Sequence, residues 1–176
     1  MPFTIFQSPF GPLTLVGDRD GLRHLYFPRR ATAQDEADHD PQPFAAALEQ
    51  LEEYFGGRRT RFDLSLGLSG TPFQRAVWRA LREIPYGATT TYSALAHRLA
   101  PERGGDAPNA RAIGAAVGAT PIPIVIPCHR VIGADGSLTG YGGGLHRKRA
   151  LLDFEAAGGD RRAFDAAWRQ RQLALL

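Results

Sequence analysis

Cysteine occurs once in this chain, at position 128, and is followed directly by His129 and Arg130. A thiol attacks or ligates only as thiolate. An ordinary cysteine, with a pKa of about 8.5, offers little of it at neutral pH unless a base or a positive field assists. His129 is the nearest base. In an extended segment adjacent side chains point to opposite faces, so the imidazole would reach the thiol through a bend or a bridging water. A third group should orient that imidazole. Glu155 is the acid best placed, because it lies on a helix that follows a glycine loop and can fold back over the site, whereas Asp153 should face elsewhere. The plainer reading makes Cys128 a small buried hydrophobe and puts His129 and Glu155 on the surface. One cysteine forms no intramolecular disulfide and no thiolate zinc cage, so no metal is expected.

Two further features could serve such a nucleophile. Tyr141-Gly-Gly-Gly144 is by itself a flexible turn. Residues 89–99 and 109–119 are helical patterns joined by the loop 100–108, the layout of a helix-turn-helix with a rather long turn. The second pattern carries Arg111 near its start, then Ala112, Gly114, Ala115, Ala116 and Gly118. Side chains that small either pack tightly or enter a minor groove about 6 Å wide. Charge is divided along the chain: residues 1–69 hold seven arginines against ten acids, and 70–176 hold fourteen cations against eight acids. A basic half suits a polyanion, though it also suits a solvated surface. Lys148 is the only lysine among 21 basic residues, which reads as compositional bias.

The elements that must position these residues begin with short β-prone runs at 3–7, 12–17 and 21–27, separated by turn residues and forming an antiparallel meander. A polar stretch, 28–42, leads to a helix over 43–55 with Phe44, Leu48, Leu51 and Phe55 on one face, stopped by Gly56-Gly57. Residues 60–66 alternate like one more strand. Composition then changes across 66–72, the best domain boundary. Thr71 caps and Pro72 starts a helix carrying Phe73, Val77, Trp78 and Leu81, ended by Pro85-Tyr-Gly87. Residues 121–127, rich in proline and isoleucine, read as an extended buried segment leading to Cys128. Helices over 145–157 and 161–173 complete the chain.

The string Pro121-Ile-Pro-Ile-Val-Ile-Pro-Cys-His-Arg-Val-Ile-Gly133, followed by Tyr141-Gly-Gly-Gly-Leu145, resembles the active-site region of the O6-alkylguanine-DNA alkyltransferases. These are also called methylated-DNA-protein-cysteine methyltransferases. The resemblance extends through Thr71-Pro-Phe-Gln-Arg-Ala-Val-Trp78, Ile84-Pro-Tyr-Gly87 and Thr91-Tyr-Ser-Ala-Leu-Ala96 to Arg111-Ala-Ile-Gly114. It implies an α+β fold: an N-terminal RNase H-like domain over 1–69, and a mostly helical DNA-binding and alkyl-acceptor domain with a helix-turn-helix over 70–176. By position it makes Cys128 the alkyl acceptor, His129 a water-mediated base and Glu155 its partner. Tyr92 is similar to the tyrosine that hydrogen-bonds guanine N3, and Tyr141 to the one lining the alkyl pocket. The main chain of Cys128 and Val131 would accept from the guanine amine, and the Gly142 N–H would donate to O6. Arg111 matches the arginine that takes the place of an extruded nucleotide, with Ala112, Gly114 and Ala115 facing the minor groove.

The activity implied is transfer of the alkyl group from O6-alkylguanine, and from O4-alkylthymine, in double-stranded DNA to Cys128, once per molecule and without a cofactor. A monomer is expected. No apolar run approaches the roughly 20 residues that span a bilayer, and Met1-Pro-Phe-Thr4 lacks the order of a signal peptide, so the expected location is the cytoplasm. Three rivals differ in chemistry: a lesion-binding protein of the same fold, a cysteine hydrolase and a transcriptional regulator. Two departures from the family pattern stand out, Thr120 where the family usually has Asn and a longer segment between Tyr92 and Arg111.

Overall fold

The N-terminal runs fold back on one another as their turn residues dictate. The computed structural model describes residues 1–28 and 35–173, so part of the polar stretch, 29–34, lies outside the described residues, as do 174–176. Strands β1 (Phe3–Ser8), β2 (Gly11–Asp18) and β3 (Gly21–Tyr26) form an antiparallel sheet in the order β1-β2-β3. The middle strand is buried from Leu13 to Gly17. Helix α1 (Ala45–Phe55), entered through a 3-10 turn at Gln42–Phe44, buries Ala47, Leu51, Tyr54 and Phe55. Phe55 stacks on Phe6 and meets the edge of Phe10. Residues 60–66 differ from expectation: only Leu66 pairs, as an isolated bridge with Leu22.

The chain folds as two compact units, Met1–Ser69 with Ala157–Leu176, and Gly70–Ala156. The second domain expected from the sequence, 70–176, takes in the chain after 156; the structure groups its described part, 157–173, with the first unit. Helix α6 (Arg161–Leu173) explains the difference, since Phe164 and Trp168 both set their rings edge-on to Phe10.

In the second unit, α2 (Pro72–Arg82) opens with a capping box. Thr71 Oγ1 accepts from the Gln74 N–H at 3.2 Å, and Gln74 Oε1 accepts from the Thr71 N–H at 2.9 Å. Such caps contribute about 1 kcal/mol. Helices α3 (Tyr92–Leu99) and α4 (Ala110–Gly118) pack on α2 and on each other. Trp78 is buried, and its indole N–H donates to Ala116 O at 2.9 Å, which satisfies the polar atom and pins α4. Strands β4 (Thr90–Thr91) and β5 (Val131–Ile132) pair in parallel, tying the start of α3 to the chain just past His129 and Arg130. Helix α5 (Leu145–Ala156) follows the glycine loop. No helix among the described residues is long and apolar enough to cross a membrane.

Candidate active site

The approach to Cys128 is buried, as its apolar run requires, but it is not straight. Ile122, Ile124, Val125 and Ile126 are all buried, while the Ile126 N–H donates to Ile122 O at 2.9 Å and curls the chain. Ile124 turns through φ 76, a left-handed conformation that β-branched residues resist, so tertiary packing imposes it at a cost of about 1–3 kcal/mol. Cys128–Arg130 is one turn of 3-10 helix. Successive side chains are therefore a third of a turn apart, which replaces the opposite-faces geometry of an extended strand.

His129 is wholly buried, and its Nε2 lies 2.9 Å from Glu155 Oε1. Glu155 collects three further donors: Arg130 Nε at 2.8 Å, Arg130 Nη2 at 2.9 Å and the Gly87 N–H at 3.2 Å. Gly87 delivers that N–H from a turn at φ 74, a conformation natural to glycine. Burial opposes the Glu155 charge, but its hydrogen bonds and the positive charge of Arg130 prevail, and the carboxyl is held far below the usual carboxylate range. An ionised carboxylate only accepts, so His129 Nε2 carries the proton. Burial lowers the imidazole pKa despite Glu155, and the ring is neutral near pH 7. Its unprotonated nitrogen is then Nδ1, which is buried without a protein hydrogen-bond partner. A neutral imidazole with its N–H fixed and its lone pair open is a base awaiting a proton.

The thiol has its own surroundings. Burial pushes Cys128 up to about 11, opposed by the Thr120 hydroxyl, the charge of Lys148 and the N–H groups of Cys128 and His129. The free protein thus holds a thiol, and any attack by this sulfur would require removal of its proton. Tyr141 is raised well above its ordinary value by burial and by Cys128, so its hydroxyl stays protonated. Thr120 Oγ1 donates to Val117 O at 2.7 Å. It has one proton, so stabilising a thiolate requires that proton to turn from the carbonyl toward sulfur.

The expected residues fall into three groups. Cys128, His129 and Glu155 lie in the buried centre with Val131, and Asp153 is exposed. The Val131 N–H donates to Cys128 O, leaving that carbonyl a second lone pair. Tyr92 is half-buried at the start of α3, and its hydroxyl donates to Thr139 O at 3.1 Å, while Gly142 is half-buried in the loop. On α4 Arg111 and Ala115 are exposed, Ala112 and Gly114 half-buried. Three residues have roles that their sequence context does not reveal. Arg130, in sequence a charge near the thiol, is engaged by Glu155 and by Ile84 O, which accepts from Nη1 at 2.6 Å. Lys148, in sequence a matter of composition, is fully buried. Thr120, in sequence a departure from the family pattern, bears on the thiol itself. Among the described residues no group of His, Cys, Asp and Glu could hold a metal ion.

A buried thiol beside an oriented neutral imidazole suits a cysteine-dependent protein, and a helix pair in a basic unit suits a nucleic-acid partner. Comparison with known proteins gives the family. The 6-O-methylguanine DNA methyltransferase ribonuclease-like domain matches residues 1–68, and the DNA binding domain of the same family matches 72–157. The methylated-DNA–protein-cysteine methyltransferase of Mycobacterium tuberculosis H37Rv is 47% identical over 156 residues, covering 87% of this chain and 91% of the relative. That of Methanosarcina acetivorans is 43% identical over 160 residues, covering 89% and 99%. The crystal structure of M. tuberculosis OGT in complex with DNA superposes with a TM-score of 0.81 at 44% identity, covering 96% of this chain and 99% of that one. The chain belongs to the methylated-DNA–protein-cysteine methyltransferase family.

Proposed function

We infer that this protein repairs alkylated DNA by moving the alkyl group from O6 of guanine onto Cys128. The observation that carries the reading is the His129 imidazole, neutral, with Nε2–H fixed on Glu155 and Nδ1 open. In the reaction the thiol proton passes to Nδ1, directly or through a water, and sulfur attacks the alkyl carbon. The S–C bond forms as the C–O6 bond breaks, and the electron pair leaves with guanine, which takes up a proton. O6 of a paired guanine lies inside the duplex, so the nucleotide must leave the stack, at a few kcal/mol.

The α3–α4 pair acts as a helix-turn-helix that lays α4 into the minor groove, with Arg111 filling the vacated space. A Cβ at Gly118 would meet nothing within 4 Å, so the protein's own packing does not demand the small residue there. Tyr92 donates to guanine N3, Tyr141 lines the alkyl pocket, Cys128 and Val131 carbonyls accept from the exocyclic amine, and the Gly142 N–H meets O6. O4-alkylthymine is a second substrate. The product is an alkyl thioether, a bond that thiol exchange does not cleave, so each molecule, a monomer working in the cytoplasm, acts once.

Incubation with an O6-methylguanine duplex, followed by mass spectrometry of the tryptic peptide that holds Cys128, should show one methyl group per protein. Absence of that adduct, or repeated turnover, refutes the reading.

A further inference from the structure

Two side chains from different helices donate to one carbonyl. Thr139 O accepts from Tyr92 Oη at 3.1 Å and from Lys148 Nζ at 2.9 Å. The ammonium also sits 5.9 Å from the centroid of the Tyr92 ring. Lys148 is wholly buried, and it is the only lysine in a chain whose other 20 cations are arginine. Burying an ammonium is expensive, and an apolar residue of similar length would fill the same space at less cost. Packing does not explain the lysine.

The carbonyl it holds belongs to the loop between β5 and α5. Thr139 is exposed; two residues on, Tyr141 and the glycines begin. Past them, Arg147 Nη1 donates to Gly143 O at 2.8 Å and the Gly144 N–H to Tyr141 O at 2.9 Å. The downstream end is thus tied to α5 by Arg147, and the Thr139 carbonyl is the upstream tie.

A phenol has one proton to give. If Tyr92 is to offer it to a base, it must withdraw it from Thr139 O. With no other donor there, the loop would lose its upstream tie as the base arrives. Lys148 has three protons and meets no such conflict.

We propose that Lys148 is a positioning residue. It retains the Thr139 carbonyl, and with it the loop carrying Tyr141 and Gly142, while the Tyr92 hydroxyl passes from that carbonyl to the incoming base. The identity of the base rests on the alkyl-transfer reading; the redundancy of the two donors in the free protein does not.

Three variants test this: Lys148→Met, Tyr92→Phe and the double variant. Hydrogen exchange in the free protein should leave residues 137–144 within about threefold of wild type in either single variant, since one donor remains, and accelerate about tenfold or more in the double variant. Lys148→Met should keep or raise the Tm, because it removes a buried charge. Its transfer rate at saturating O6-methylguanine duplex should fall about tenfold, with the half-saturating duplex concentration unchanged, because Tyr92 then leaves the carbonyl only by releasing the loop.

Wild-type transfer by Lys148→Met, or wild-type loop exchange in the double variant, overturns the proposal. A wild-type protein that forms no Cys128 adduct overturns the alkyl-transfer reading instead, and the double variant's exchange still decides whether two donors share the tie.

Discussion

Replacing Glu155 by Gln tests the proton arrangement most directly. The carboxylate accepts from His129 Nε2, twice from Arg130 and once from Gly87, all within 3.2 Å. An amide keeps the shape but offers one oxygen and one NH2. If its oxygen stands where Oε2 does, keeping Arg130 Nε and the Gly87 N–H, its NH2 stands where Oε1 does, loses the Arg130 Nη2 bond and faces His129, where it favours the tautomer with Nε2 bare and the proton on Nδ1, the nitrogen needed as base. Wrong-tautomer substitution in a serine protease triad lowers turnover about 10⁴-fold. The same logic here predicts a loss of about 10³–10⁴ in the second-order rate of Cys128 methylation. Glu155→Gln also leaves the buried Arg130 uncompensated, which costs about 3–5 kcal/mol. The assay is therefore quenched-flow adduct formation by mass spectrometry at a temperature where circular dichroism shows the variant folded. Glu155→Gln/Arg130→Met, which removes the stranded charge, should regain stability without regaining rate. A folded Glu155→Gln protein within tenfold of wild type would refute the tautomer argument.

Other perturbations separate the remaining parts. His129 is depressed by burial and Glu155 by its donors, so both groups contribute stability present above their unfolded values, 6.5 and 4.5, and lost as pH falls through the folded ones. The unfolding free energy from urea titration should decline below about pH 6.5 through His129 and further below about pH 4.5 through Glu155, by no more than about 1.4 kcal/mol per pH unit for each group; a stability rising toward acid would contradict this. Thr120→Val removes a hydroxyl that favours the thiolate, so Cys128 should titrate higher toward iodoacetamide, while Thr120→Ser keeps the wild-type profile. Arg111→Ala should slow duplex repair far more than reaction with free O6-benzylguanine, which needs no flipping; equal losses would remove the arginine from that role.

How much the sequence disclosed follows from how local each signal is. Thr71-Pro72 and Pro85-Tyr-Gly87 fix α2 because a cap and a breaker act within a few residues. The run at 121–127 announces burial but not path: its curl passes through Ile124 at φ 76, a choice no local propensity makes. The alternation at 60–66 predicts a strand, yet a strand needs a partner edge, and β3 supplies one bridge at Leu22. Phe164 and Trp168 look like any apolar helix face until Phe10, more than 150 residues away, receives them. Lys148 and Arg130 give no sequence sign of burial, because such residues are nearly always solvated. Glu155 is preferred to Asp153 by its place on the helix after the glycine loop and again by family position, and the helix face explains it: Glu155 turns inward and Asp153 outward.

Burial, supported by the charges of Arg130 and Lys148, is what makes the buried carboxylate compatible with a basic histidine. A lone ionised Glu155 beside His129 would favour imidazolium, since both its hydrogen bond and its charge raise the imidazole pKa. An imidazolium cannot accept the thiol proton. Arg130 and Lys148 act on His129 in the opposite sense, and burial adds the largest lowering. The carboxylate can therefore fix the Nε2 proton without placing a second proton on Nδ1. On this argument Arg130→Met should do more than strip two hydrogen bonds from Glu155: it should raise the His129 pKa and move the acid limb of the rate profile toward neutrality. A variant slowed equally at every pH would show that Arg130 holds the carboxylate in place and leaves the base untouched.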